Sequence, residues 1–68
     1  MNLKRLQDKI VEQNLTQDYI AQELGINKST LYRKVKRGTN GFTIGEVGQI
    51  KSILELSTEE TMDIFFED

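Results

Sequence analysis

The sequence has no cysteine, no histidine and no proline among its 68 residues. Without cysteine, neither a disulfide nor a thiolate zinc site can staple the fold. Without histidine, the commonest general base and the commonest metal ligand are both missing. The lack of proline favours helices. No apolar run approaches the ~20 residues of a membrane span. Met1-Asn2-Leu3-Lys4-Arg5 leads into mixed polar and apolar residues, unlike the unbroken apolar stretch of a signal peptide. A chain this short buries only ~60% of the surface that its unfolded form exposes. Its apolar and aromatic residues, 37% of the total, suffice for one small core. The expectation is a soluble, cytoplasmic, mostly helical module forming a single domain, 1–68.

The formal charge of −2 argues against a polyanionic partner, but it averages two unlike halves. Residues 1–41 hold eight bases against four acids, a balance of +4, and residues 42–68 hold one base against seven acids, a balance of −6. From Lys28 to Gly38 there are five bases and no acid. A phosphate responds to the field within a Debye length of ~8–10 Å, not to the total. The basic stretch is therefore either a phosphate-facing surface or a solvated helix, with an acidic tail that keeps the protein soluble.

Apolar spacing predicts five helices. Leu3, Leu6, Ile10 and Val11 place the first over 3–13, broken at Asn14-Leu15. Thr16 caps a second over 17–24, with Asp18 at the positive end of its dipole and Ile20, Ala21 and Leu24 inward. Gly25 ends it in a left-handed turn, and Ile26 tucks under that turn. Asn27 caps a third over 28–37, with Leu31 and Val35 inward. Gly38-Thr39-Asn40-Gly41 reads as a loop, because no alternating strands flank its Asn-Gly pair. Thr43-Ile44-Gly45-Glu46 is a capping box opening a fourth helix over 44–55, in which Ile44, Val47, Ile50, Ile53 and Leu54 recur at helical spacing. Ser57-Thr58-Glu59-Glu60 opens a short fifth carrying Met62, Ile64, Phe65 and Phe66. Gly45 and Gly48 inside the fourth helix each cost ~1 kcal/mol relative to alanine. They mark either close approach of another backbone, within the domain or across a dimer, or tolerance in a marginal helix. The fold class expected is all-α, a compact five-helix bundle around a central helix-turn-helix.

The segment 16–35 carries the functional signal. Two short helices joined by a glycine turn share the inward residues Ile20, Leu24, Ile26, Leu31 and Val35, and Ala21 stays small where the helices cross. With those positions fixed, the third helix turns Ser29, Thr30, Arg33, Lys36 and Arg37 outward, and Lys28 projects from its tip. Tyr19 and Phe42 read as core or rim.

The run Thr16-Gln17, Ile20-Ala21, Leu24-Gly25-Ile26, Ser29-Thr30-Leu31 and Arg37-Gly38 resembles the helix-turn-helix of the lambda-repressor/Cro-like family of phage and bacterial transcriptional regulators. The resemblance covers the whole motif and, through the helix order, most of the chain. The ending, Leu56-Ser57 with an acidic helix and the pair Phe65-Phe66, also looks like small phage-associated members. The resemblance implies a repressor or Cro-like protein in a bacterial or phage-infected cell, with its third helix in the major groove of double-stranded DNA. Lys28, Ser29 and Arg33 would meet base edges, Arg33 by a bidentate contact to guanine. Gln17, Tyr32, Lys34, Lys36, Arg37, Thr39 and Asn40 would meet phosphates, Gln17 with help from its helix N-terminus. Small modules of this kind gain specificity from palindromic half-sites, so a homodimer on DNA is implied.

Each assignment has a plainer alternative. Gln17 is also a helix-start residue, Lys34 and Lys36 also read as solvated charges, and Arg33 also reads as an exposed salt bridge with Glu23 or another acid. Tyr32 packs on the domain or reaches a phosphate. Met62, Ile64, Phe65 and Phe66 are too many apolar groups for a short helix in water. Some plug the core, and the rest are candidates for a partner or dimer surface. The acidic, Phe-containing C-terminal part also supports a second reading, a protein-interaction module that binds another regulator. An enzyme is disfavoured: no carboxylate pair sits in an apolar setting, no phosphate loop or metal-ligand spacing is present, and no cofactor is implied.

Overall fold

A computed structural model describes residues 1–66. Glu67 and Asp68, two acids of the C-terminal count, lie outside the described residues. Five helices follow in order: α1 Leu3–Glu12, α2 Gln17–Leu24, α3 Lys28–Arg37, α4 Ile44–Ile53 and α5 Thr58–Phe65. The all-α, five-helix expectation holds. The segment Gly38–Gly41, read from sequence as a loop, is a short 3-10 turn packed on the end of α3.

Each helix starts on a side-chain cap. Asn2, Thr16, Asn27, Thr43 and Ser57 each accept a hydrogen bond from the backbone N–H three residues on, satisfying a donor that the first turn leaves unpaired. Thr43 with Glu46 and Ser57 with Glu60 complete reciprocal capping boxes.

Three helices also end alike. Leu15, Ile26 and Leu56 send their N–H back to Ile10, Ala21 and Lys51, while Asn14, Gly25 and Glu55 bond one turn back to Val11, Gln22 and Ser52. The pivots Asn14, Gly25 and Glu55 have φ of 58°, 73° and 54°. This is the left-handed closure of the Schellman motif, and in each case it delivers an apolar residue under the helix just ended.

Those apolar residues join one core. Leu6 and Ile10 of α1, Ile20 and Ala21 of α2, Leu31 of α3, Ile50 of α4 with Leu54 and Leu56 behind it, and Ile64 and Phe65 of α5 are all buried. Leu15, Leu24, Ile26, Val35, Phe42, Val47 and Ile53 pack around them, half-buried. Phe42 meets Phe65 edge-to-face at 5.8 Å. Ile64 and Phe65 are 0% and 1% exposed. They are the plug, and their candidacy for a partner surface is corrected. Met62 and Phe66 stay exposed, at 53% and 55%.

Two other expectations change. The fourth helix stops at Ile53, not 55, because Glu55 takes the left-handed turn. Ile44, placed by spacing on the inward stripe, is 93% exposed. At ~100° per residue it lies ~120° around the helix from the buried Ile50. No backbone approaches Gly45 or Gly48 within the domain: a Cβ would find nothing within 4 Å at Gly48 and only the Thr43 hydroxyl, at 3.8 Å, at Gly45.

Two of the C-terminal acids, Glu60 and Asp63, hold α5 against α1. Asn2 N–H donates to the Ile64 carbonyl at 2.7 Å, bringing α1 beside α5. Lys9 there pairs with Glu60 and Glu12, and Arg5 pairs with Asp63 at 3.8 Å. Two of the eight N-terminal bases are thus matched by acids of α5.

Candidate nucleic-acid interface

The candidate surface is α3 with the first turn of α2. Leu31 is buried and Val35 half-buried, so the helix is fixed by one stripe and presents the rest. Its mounting is rigid. Asn27 caps it at 2.8 Å, and the Gly25 turn ties it to α2 through the Ile26 N–H on the Ala21 carbonyl. Ala21 is buried in the core that α2 shares with α3.

Lys28, Ser29, Tyr32, Arg33, Lys36, Arg37 and Asn40 are exposed. Arg33 donates from Nε to the Ser29 carbonyl at 3.4 Å, which lays its stem along the helix. Among the described residues no acid pairs with Arg33, Lys36 or Arg37, and the Glu23 bridge does not form. The Lys36 ammonium sits 5.3 Å from the centroid of the Tyr32 ring, a cation–π distance. Tyr32 is 57% exposed and therefore not packed on the domain.

Several residues that the sequence singles out would be misjudged by type alone, and their surroundings separate them. Lys28 is exposed but its Nζ lies 3.4 Å from Asp18 Oδ1. Lys34 is corrected: its ammonium turns inward, 3.2 Å from Glu46 Oε1 and 3.2 Å from the Gly41 carbonyl. Thr39 is corrected as well, because its hydroxyl donates to the Phe65 carbonyl and ties the 3-10 turn to α5. Thr30, expected outward, is half-buried. Gln17 stands at the start of α2 and is half-buried.

Among the described residues, Glu46 and Glu60 are the carboxylates whose ionisation is shifted, and both lie off this surface. The Thr43 N–H, followed by the Lys34 ammonium, holds Glu46 below the usual carboxylate value. The Lys9 ammonium, followed by the Ser57 N–H, holds Glu60 at about 2. These shifts come from caps and pairs that hold helices together. No neutral acid or activated base results.

Apolar spacing does not reveal one further feature. Phe42, Ile44, Val47 and Phe66 line a shallow groove, together with Thr39, Asn40 and Gly48, that has no charged lining residue. The surplus of apolar residues at the C-terminal end already marks Phe66 as a candidate surface residue, whereas spacing places Ile44 on the inward stripe and hides its part in the groove. Among the described residues no helix is long and apolar enough to cross a membrane. Comparison with protein-family models, curated proteins and solved structures finds no match.

Proposed function

We propose that the protein is a sequence-specific DNA-binding regulator of the lambda-repressor/Cro-like kind, a phage-type repressor acting in the cytoplasm. Its third helix enters the major groove. The observation that carries this reading is the outward face of α3, where Arg33, Lys36 and Arg37 stand exposed with no acid partner among the described residues. Lys28, Ser29 and Arg33 read base edges. Tyr32, Lys36, Arg37 and Asn40, with Gln17 at the start of α2, hold phosphates. The low overall pI of about 5.0 does not oppose this, since Glu60 and Asp63 are matched by Lys9 and Arg5 and the field at α3 is local.

One subunit makes few phosphate contacts, so two copies act on half-sites about one helical turn apart. The uncharged groove at Ile44 and Phe66 is the surface through which the second copy docks. That same groove favours the other reading, in which a regulator protein binds there and DNA does not bind at all.

Selection from random duplexes, followed by titration, tests the proposal. A palindromic site is expected, with affinity falling steeply as salt rises. Arg33→Ala should cost ~1–3 kcal/mol and relax preference at one base pair. An Arg33→Ala protein that binds every selected duplex as tightly as wild type overturns the docking. No shifted duplex at low salt, with a protein partner captured by the groove, supports the second reading instead.

A further inference from the structure

We propose that Asp18 is a specificity-determining residue that positions Lys28 for base reading and weakens binding to unselected DNA. The inference rests on the DNA-binding reading above and names a residue which that reading does not use. Lys28 is the first residue of α3. A lysine there is a poor reader by itself. Its ammonium is a point charge on a flexible four-carbon stem, and the positive end of the helix dipole pushes it away. Asp18 supplies what is missing, with Oδ1 3.4 Å from Lys28 Nζ across the helix-turn-helix.

The anchor is itself well fixed. Asp18 is the second residue of α2, in the first turn, where an acid is favoured by the dipole. The Thr16 hydroxyl caps that turn at 3.1 Å from the Tyr19 nitrogen. The buried Ile20, Ala21 and Leu31 and the Gly25 closure lock α2 against α3. The backbone that carries Asp18 is therefore fixed relative to the recognition helix, and its carboxylate biases Lys28 toward one side of the helix start. Both side chains remain largely exposed, at 73% for Lys28 and 66% for Asp18, so the pair is open to a ligand and does not hold the core.

Two effects follow from one carboxylate. It narrows the positions that Lys28 samples, which sharpens discrimination at the base that Lys28 meets. It also places a negative charge beside Lys28 at the start of α3, which penalises any register that sets a phosphate there. Repulsion against wrong partners is one route to specificity. An exposed pair of this kind contributes little to stability, so removing the carboxylate leaves the fold intact.

The test compares wild type, Asp18→Asn, Asp18→Glu and Lys28→Ala by selection from random duplexes and by titration against one selected and one scrambled duplex. Thermal melting serves as the folding control. Asp18→Asn is expected to lose preference at the same base pair that Lys28→Ala loosens, with other positions unchanged. Its ratio of selected to scrambled affinity should fall about tenfold, partly because scrambled DNA binds more tightly. Asp18→Glu, which keeps the charge, should restore most of the preference. A wild type that selects a site together with an Asp18→Asn variant of unaltered preference overturns this inference and leaves the DNA-binding reading standing. A wild type that selects no site overturns both.

Discussion

Lys34 of α3 and Glu46 of α4 meet at 3.2 Å, with side chains only 22% and 16% exposed. Glu46 also accepts the Thr43 N–H at 2.9 Å and so closes the cap of α4. One carboxylate thus starts a helix and fastens it to its neighbour. Glu46→Gln keeps an acceptor for the cap but removes the charge. For a half-buried pair the expected loss is about 1 kcal/mol, which lowers the melting temperature by about 4–8 °C in a domain of this size. Lys34→Met should behave similarly. It should also leave the dependence of DNA affinity on salt unchanged, whereas Lys36→Ala or Arg37→Ala should reduce that slope by about one. A Lys34→Met variant with the reduced slope would return Lys34 to the phosphate contacts.

The α1–α5 contact predicts an acid limit to stability. Glu60 ionises at about 2 in the folded protein, against an ordinary 4.5, chiefly because Lys9 donates to it. A depressed carboxylate contributes in full above its unfolded value and loses that contribution as pH falls toward its folded one. Glu46, also depressed, acts in the same direction. Lys9 is raised above its ordinary 10.5 by the same partner, so its contribution is complete below that value and lost only at higher pH. The melting temperature should therefore hold between about pH 5 and 10 and drop between 4.5 and about 2. Glu60→Gln and Lys9→Met should both flatten the acid drop. Equal slopes in wild type and variants would assign the acid limit to other groups.

Helix ends show what the sequence could reveal. Gly25 announces its left-handed turn, since glycine adopts a φ of 73° without penalty, and the end of α2 was legible to the residue. Glu55 makes the same turn at 54° with no glycine to mark it, so periodicity carried the fourth helix two residues too far. The α3 face was legible because it depends only on where Leu31 and Val35 point. The pairing of Lys34 and the inward hydroxyl of Thr39 were not. Each depends on a partner 12 or 26 residues away, and a local pattern is silent on such partners.

The two turns also differ in backbone strain, and stability should follow. A non-glycine residue in the left-handed region costs roughly 1 kcal/mol. Glu55→Gly should stabilise the protein by up to about that amount, offset in part by the greater freedom of glycine in the unfolded chain. Gly25→Ala should destabilise it by about 1 kcal/mol, although the added Cβ meets nothing within 4 Å. Gly41→Ala should cost more, because its Cβ would collide with the Lys34 carbonyl. Chemical denaturation of the three variants ranks them. Glu55→Gly melting below wild type would show that its side chain contributes more than its backbone strain costs.

Ile44 and Ile64 are the same residue type at opposite extremes, 93% and 0% exposed, and their substitution should separate assembly from folding. Ile64→Ala empties part of the core and should cost about 2–5 kcal/mol, enough to unfold much of a small domain. Ile44→Asp removes no buried contact. It also places an acid in the first turn of α4, where the dipole favours it, so its melting temperature should stay near wild type. If two copies dock through the groove that Ile44 shares with Val47 and Phe66, the charge is desolvated in the dimer and opposes it. Ile44→Asp should then bind a single half-site as wild type does while losing the added affinity for two half-sites one helical turn apart. Wild-type cooperativity in this variant would remove the groove from the dimer and leave the half-site contacts of α3 untouched.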